Sequence, residues 1–181
     1  MENKPVTAEI GCLIQILPID GIPNYHKISH CTFKNFKGKG GDNGNEPIRI
    51  GLGVLSNFPS RSIIEYCYFY NTGLADSESI SIKSEENVMR HNVFDNNVGG
   101  KLVFRNGDKN IAYSNMFIRG SGGVRVKWAN NILVFNNYFD GSESTIDDNA
   151  ACFLYEAPNI KNINFIHNTF INGTVDFSDL L

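Results

Sequence analysis

The sequence contains no stretch of about 20 consecutive apolar residues, so no membrane-spanning helix is expected. Its amino terminus lacks the basic and apolar segments of a secretion signal. Basic residues are not in excess, since 16 Lys and Arg stand against 19 Asp and Glu, and this balance argues against nucleic acid as a partner. The four cysteines have no spacing typical of zinc ligands and are interpreted as buried thiols.

Charged residues are also scarce, at 19% of the chain, and apolar residues reach only 41%. Uncharged polar residues make up the difference, and about two dozen of them are asparagines. Asparagine is normally depleted from β-strands, so its abundance needs a structural reason. At 181 residues the chain is long enough for one sizeable core, and residues 1–181 are expected to form a single domain.

A repeat accounts for the asparagines. Six short segments share a frame in which a Phe follows Asn or Cys by two positions, and the intervals between these Phe residues range from 22 to 36 residues. A period of this length, built from short β-segments and turns, is typical of a solenoid. Between these segments lies a second family of short alternating strands, at Pro47–Gly51, Ser79–Ser84, Lys101–Gly107, Gly123–Trp128 and Ala151–Glu156.

The pattern predicts an all-β fold, a right-handed parallel β-helix of about six coils. Equivalent residues of successive coils would lie about 4.8 Å apart, so inward Asn side chains can form a hydrogen-bonded ladder. The predicted ladder consists of Asn92, Asn115, Asn137 and Asn168, continued by Cys31 and Cys67 as small buried residues. The predicted core stack consists of Phe33, Phe69, Phe94, Phe117, Phe139 and Phe170. Leucine-rich repeats and a β-sandwich are the alternatives, but neither an LxxLxL frame nor regular hairpin signals occur.

Two stretches rich in Gly and polar residues are predicted to be loops that leave the solenoid. The first is Lys37–Asn45 and the second is Gly141–Asn149. Neither is interpreted as a domain boundary.

Alternation along the second strand family predicts a column of cations. If Ile82 and Phe104 face inward, Lys83, Arg105 and Lys127 face outward on consecutive coils, since 22 residues separate each from the next. Like charges so close repel each other. Either the long side chains splay apart in solvent, or the column belongs to a binding site.

Acidic residues precede this column and favour the binding-site interpretation. Asp76 and Glu78 come shortly before Lys83, while Asn45 and Glu46 occupy the equivalent turn one coil earlier. Their oxygen atoms are ligands suited to Ca²⁺. Such a site suits β-elimination on a uronate, because positive charge stabilises the developing carboxylate charge and a lysine with a lowered pKa can remove the C5 proton. Lys83 is the candidate base, and Arg105 the candidate partner that acts at the leaving glycosidic oxygen.

The motifs resemble those of polysaccharide lyase family 6, the chondroitinase B and alginate lyase family. An ExxxxKSxxN motif begins at Glu78 and includes Lys83, and an FRxGD motif spans Phe104–Asp108. An upstream IRIG at Ile48–Gly51 also matches, so the likeness covers roughly Asn43–Ala157.

The resemblance implies site residues. It makes Lys83 the base and Arg105 its acid partner. It implies a calcium ion held by Asn45, Asp76 and Glu78, with Asn43 as the alternative first ligand. Substrate-binding residues are expected at Arg49, Asn106, Lys127, Tyr155 and Glu156. Asp76 stands where the family usually has Glu, and Asn106 where it often has His.

The expected function is therefore cleavage of a uronate-containing polysaccharide, with alginate the leading substrate, outside the cell or in the periplasm. The alternative is a non-catalytic β-helix that binds an acidic polysaccharide or serves a structural role. A glycoside hydrolase is disfavoured because Asp147 and Asp148 are adjacent and point to opposite sides of a strand. The open ends of a solenoid also predict a homo-oligomer or further coils that cover them, since the family's enzymes are much longer.

Overall fold

A computed structural model of the protein describes residues 11–19, 21–41, 46–76, 78–120, 122–141, 152–154, 160–173 and 175–176, with backbone alone for 37–41, 74–76, 152–154 and 176. In chain order, the strands are β1 Ile14–Ile16, β2 Lys27–Ser29, β3 Thr32–Lys34, β4 Lys37–Gly41, β5 Ile48–Gly51, β6 Ile63–Glu65, β7 Tyr68–Tyr70, β8 Leu74–Asp76, β9 Glu78–Lys83, β10 Val88–Arg90, β11 Val93–Asp95, β12 Lys101–Arg105, β13 Ile111–Tyr113, β14 Met116–Ile118, β15 Val124–Lys127, β16 Ile132–Phe135, β17 Tyr138–Asp140, β18 Cys152–Leu154, β19 Ile163–Ile166, β20 Thr169–Ile171 and β21 Val175–Asp176. A 3₁₀ helix spans Gly53–Leu55. In the described part of the chain, no helix has the length and apolar character that crossing a membrane requires.

Three long parallel sheets run along the described part of the molecule, beside a two-stranded sheet of β4 and β8. The first has the order β1-β5-β9-β12-β15-β18-β21, the second β2-β6-β10-β13-β16-β19, and the third β3-β7-β11-β14-β17-β20. Each strand pairs with its counterpart one coil further along the chain, as β9 does with β12 and β12 with β15. This arrangement is a right-handed parallel β-helix, which confirms the predicted fold.

The core of the helix contains the predicted column of phenylalanines. Rings of adjacent coils stack face to face with centroid separations of 4.6 to 4.9 Å from Phe33 to Phe170. Phe94 is 1% exposed and is stacked on both sides, by Phe69 and Phe117. Stacking of identical residues keeps successive coils in register because each ring contacts the ring above and the ring below.

The asparagine ladder is present as predicted. In each rung an Asn Oδ1 accepts from both the backbone N–H and the side-chain amide of the Asn one coil earlier, as Asn115 does from Asn92 at 3.0 Å for both bonds. Asn137 and Asn168 continue the ladder. A second ladder, which the repeat frame did not predict, links Asn87 to Asn110. The abundance of Asn is thus explained by buried polar groups that need partners.

Two local predictions are wrong. Cys67 is buried as predicted, but Cys31 is exposed and Cys12 is only half-buried, because both lie near the start of the helix where less of the chain covers them. The predicted loop Lys37–Asn45 begins with a strand, since β4 pairs in parallel with β8. Its remaining residues, and nearly all of the predicted loop at Gly141–Asn149, lie outside the described residues.

Candidate functional site

The outer face of the first sheet carries the predicted cation column. Gly51 pairs with Lys83 and Arg105 with Lys127, while Phe104 pairs with Ile82 and so places Arg105 one coil beyond Lys83. The inward residues Ile50, Ile82, Phe104 and Val126 are all fully buried. Lys83, Arg105 and Lys127 therefore share one column on the outer face, with about 4.8 Å between successive coils.

The column is not a solvated surface. Lys83 is 6% exposed and Lys127 is 4% exposed, although both lie outside the core. Removing an ammonium group from water is costly unless neighbouring groups compensate. The burial of these cations excludes the interpretation in which their side chains splay into solvent.

Gly51 begins the column, and its lack of a side chain is required there. Its φ is +86°, and a Cβ at this position would lie 2.1 Å from the Lys83 carbonyl oxygen. Any larger residue would push β5 away from β9 at the coil that carries Lys83. Glycine therefore fixes the backbone from which Lys83 projects.

Two fully buried carboxyl groups lie beside the column, those of Glu46 and Glu78. Arg49 Nη2 donates a hydrogen bond of 2.7 Å to Glu46 Oε2, and Lys83 Nζ lies 3.8 Å from Glu46 Oε1. Arg105 Nη1 donates to Glu78 Oε1 at 3.1 Å. Glu46 and Glu78 therefore form one polar network with Arg49, Lys83 and Arg105.

Because the two acids contact each other, their pKa values shift in opposite directions. Burial raises the pKa of Glu78 to about 7, and its hydrogen bond with Glu46 adds to the rise. Burial opposes ionisation of Glu46 as well, but hydrogen bonds with Glu78 and Arg49 outweigh it and lower its pKa. Near neutral pH the pair is thus prone to hold one proton, because two adjacent buried carboxylates repel each other.

The environment of Lys83 favours its neutral form. Burial lowers the pKa of Lys83, the carboxyl groups of Glu78 and Glu46 oppose that change, and the positive charges of Arg49 and Arg105 add to it. The net direction is downward. Lys83 therefore releases its proton more readily than an exposed lysine does, which is the property that a base needs near neutral pH.

The acid pair has the chemistry of part of a cation site. Glu46 Oε1 and Glu78 Oε2 are buried and, apart from the proton that the two acids can share, are not paired by a hydrogen bond among the described residues. Such oxygens need a shared proton or a cation, and carboxylate oxygens suit a hard divalent ion. Within the same residues, no group of three or more His, Cys, Asp or Glu is placed to hold a metal ion. Two carboxylates alone do not make up a calcium site, so calcium binding stays a prediction.

The other predicted calcium ligands are only partly described. Glu78 begins β9. The backbone of Asp76 ends β8, but its side chain is outside the described part of the structure, as are Asn45 and its alternative Asn43. The residue that contacts Glu78 from the preceding coil is Glu46, which the sequence placed in the acidic turn but not among the three calcium ligands that the resemblance implies.

The predicted substrate-binding residues occupy different parts of this face. Arg49 is 8% exposed and is bonded to Glu46, as described above. Asn106 follows Arg105 with a left-handed backbone, φ 67°, and its N–H donates to the Lys127 carbonyl at 2.9 Å. Arg49, Asn106 and Lys127 therefore lie around Lys83 and Arg105. Tyr155 and Glu156 fall outside the described residues, although the backbone of β18 pairs with β15 just before them.

Two further residues of this face were not predicted from the sequence. Arg125 lies in the same column as Gln15 and Arg49 and is 6% exposed. Trp128 follows Lys127, and its ring centroid is 4.7 Å from Lys127 Nζ and 5.7 Å from Arg105 Cζ. Alternation along GVRVKW places Arg125 on the same face as Lys127, so it could have been found. Nothing in the sequence predicted the direction of Trp128, because its left-handed φ of 53° breaks the alternation.

The chain matches a known family over nearly its whole length. Residues 7–178 match the family model described as chondroitinase B. No protein of curated function matches the sequence.

Solved structures give a similar result. A mannuronic acid specific polysaccharide family 6 lyase from human gut microbiota is 30% identical, with a TM-score of 0.74 over 91% of this chain and 40% of its own. The alginate lyase AlyF-OU02 is 20% identical, with a TM-score of 0.60 over 82% of this chain and 33% of its own. A variant of the PL6 family alginate lyase AlyGC is 21% identical, with a TM-score of 0.52 over 87% of this chain and 28% of its own. The last two are similar in fold alone, and this chain spans 40% or less of the length of each of the three.

Proposed function

This chain belongs to the chondroitinase B family, and we propose that it is a polysaccharide lyase that cleaves a uronate-containing glycan by β-elimination. One observation carries the proposal. Lys83 and Arg105, on adjacent coils of one sheet face, share a buried network with Glu46 and Glu78. Proton abstraction beside a carboxylate requires a neutral amine, a guanidinium and fixed charges next to each other.

Lys83 is the base in this proposal. Its neutral amine takes the proton from C5 of the uronate, and the electron pair of that C–H bond forms the C4–C5 double bond. The bond from C4 to the glycosidic oxygen breaks, and its electron pair leaves with that oxygen. The lowered pKa of Lys83 supports the role because a protonated lysine could not accept the proton.

Arg105 acts on the leaving side. Its guanidinium donates a hydrogen bond to Glu78, which holds it in place between Lys83 and Lys127. A guanidinium N–H group can donate to the glycosidic oxygen as negative charge develops there. Arg49 and Lys127 lie on the same face and bind substrate carboxylates of neighbouring sugar residues.

We also propose that Glu46 and Glu78 take part in holding a calcium ion, with Asp76 and Asn45 as further ligands. The support is the two buried carboxylate oxygens that, apart from a shared proton, are not paired by a hydrogen bond among the described residues. The chemistry that Ca²⁺ supplies when bound is stabilisation of negative charge on the uronate carboxylate.

Alginate is the substrate that we propose, and mannuronate-rich alginate in particular. The relative at 30% identity is described as specific for mannuronic acid. Alginate is a polymer of uronates, so each sugar residue carries one carboxylate that a column of cations can bind. We further propose that the protein works outside the cell or in the periplasm, where such polymers occur.

The proposed function predicts an unsaturated product. Folded protein incubated with polymannuronate, polyguluronate and dermatan sulfate, in the presence of Ca²⁺, should release products that absorb ultraviolet light through the new C4–C5 double bond. The fastest release is expected from polymannuronate. Arg105→Ala should slow it by about 10²-fold or more, because the developing charge loses a donor. Folded protein that releases no such product from any of the three polymers would overturn the proposal, whereas binding without product would identify a non-catalytic glycan-binding module.

The calcium proposal predicts a ligand-dependent stability. Ca²⁺ at about 100 times its Kd should stabilise the protein by about 2.7 kcal/mol and raise its Tm accordingly. Glu46→Gln and Glu78→Gln should abolish most of this rise, because each removes one negatively charged oxygen ligand. The matched control is Glu85→Gln, an acid that pairs with Lys109 rather than with a cation of the column, and it should respond as the parent does. An unresponsive parent, or full responses from both site variants, would contradict the proposal.

A further inference from the structure

Trp128 lies at the end of β15 and projects next to the cation column. Its left-handed backbone is not unusual here, because many corners of the solenoid have one, including the equivalent Asn106 one coil earlier. What distinguishes Trp128 is its size and its contacts. Its ring lies over both Lys127, with Nζ 4.7 Å from the ring centroid, and Arg105, with Cζ 5.7 Å away.

Trp128 also remains open to solvent, which its neighbours do not. It is 45% exposed, while Lys127 is 4% exposed and the Arg105 side chain is 13% exposed. The exposed large hydrophobic residues found across the described segments include Leu17, Ile19, Ile22, Tyr25, Val54, Tyr66, Met116, Ile166 and Ile171. Among these residues, Trp128 is the one for which a contact with the cations of the column is seen.

The chemistry of this corner suits a sugar that carries a carboxylate. An indole ring presents a large flat apolar surface, and a pyranose ring presents a face of C–H groups that packs on such a surface. Cations under the same ring attract the carboxylate of that sugar or of its neighbour. An exposed aromatic ring held by the buried Lys127 and the half-buried Arg105 therefore offers both contacts within one sugar residue of Arg105.

We propose that Trp128 is a substrate-binding residue. Its ring packs against a sugar ring of an acidic polysaccharide, next to the glycosidic bond on which Arg105 acts. The inference rests on the proposed function for the identity of the glycan. Its contacts with Arg105 and Lys127 hold the indole in place before substrate binds. Loss of the indole therefore weakens binding more than it slows the chemical step.

Trp128 is the only tryptophan in the sequence, so its fluorescence reports on this site alone. The test uses the Lys83→Ala protein, which does not consume its ligand, titrated with oligomannuronate and oligoguluronate. A saturable change in tryptophan emission is expected with at least one of them. Calorimetry on the Lys83→Ala, Trp128→Ala double variant should give a Kd about tenfold higher than that of the Lys83→Ala protein. Trp128→Phe in the same background should raise the Kd less.

The matched control is Tyr66→Ala. Tyr66 is 50% exposed and has a left-handed φ of 52°, but it stacks between His30 and His91 at a corner of the second sheet. Its replacement should leave the Kd unchanged. In the active protein, Trp128→Ala should raise KM about tenfold and change kcat less than that.

The outcomes separate this inference from the lyase proposal. If tryptophan emission changes on binding but the protein with Lys83 intact releases no unsaturated product, the role of Trp128 is supported and the lyase proposal is overturned. Calorimetric binding with unchanged emission and an unchanged Kd in the double variant would overturn the role of Trp128 and leave the lyase standing. A fall in kcat at constant KM, or no binding of either oligomer, would also overturn it.

Discussion

Replacing Lys83 with Ala is expected to lower kcat for uronate cleavage by about 10²- to 10⁴-fold, the range that a general base contributes. The variant keeps Arg105, Glu46 and Glu78, so substrate binding should change much less than the rate. Lys83→Arg should be similarly slow, because a guanidinium remains protonated and cannot accept the C5 proton. Initial rates of double-bond formation, measured over a range of substrate concentrations, give both kcat and KM.

The control for loss of a lysine in general is Lys109→Ala. The Lys109 side chain is 55% exposed and pairs with Glu85 at 2.7 Å. Lys109 lies in the segment between β12 and β13, and not in the cation column. Its removal should leave kcat within a factor of about two, since a surface ion pair contributes little. A Lys83→Ala protein that is folded and retains parental kcat would show that another group removes the proton.

Replacing Asn115 with Ala is expected to destabilise the fold by about 3 kcal/mol or more, because several buried groups lose their partners at once. Asn115 Oδ1 accepts two bonds from Asn92, and its amide donates to the Met89 carbonyl and to Asn137 Oδ1, each at 3.0 Å. Alanine leaves these groups unpaired in the interior. Denaturant unfolding followed by circular dichroism measures the loss.

Asn164→Ala provides the comparison within the same fold. Asn164 is exposed on β19, where its amide donates to the Asn162 carbonyl at 3.3 Å. Water can replace that bond, so the change in unfolding free energy should stay within about 0.5 kcal/mol. Equal losses for Asn115→Ala and Asn164→Ala would show that the ladder does not stabilise the solenoid in the way described.

The repeat made much of this fold predictable from sequence. In a solenoid, one local frame is used again in each coil, so an error at one coil is corrected by the others. The positions of Phe94 and Asn115 followed from that frame, and the outward direction of Lys83 and Arg105 followed from alternation along their strands. In such sheets the strand register alone decides which residues of adjacent coils lie next to each other.

Features outside the frame were not predictable. The sequence placed Glu46 in the turn equivalent to that of Glu78, but its ion pair with Arg49 was not predicted. Trp128 turns away from the strand through a left-handed residue, so alternation gives no direction for its ring. β4 was predicted as a loop because its composition, KGKGG, is typical of turns, yet its backbone groups pair with β8. In each case a tertiary contact overrides the local pattern.

The mass of the products tests the central claim, that this face performs β-elimination with Lys83 as base, most directly. Mass spectrometry of polymannuronate digested by the parent protein should show unsaturated oligosaccharides, each lighter by one water than the corresponding hydrolysis product. The Lys83→Ala protein, folded and at the same concentration, should produce almost none. Exclusively saturated products from the parent, or unsaturated products from both proteins at equal rates, would contradict the claim.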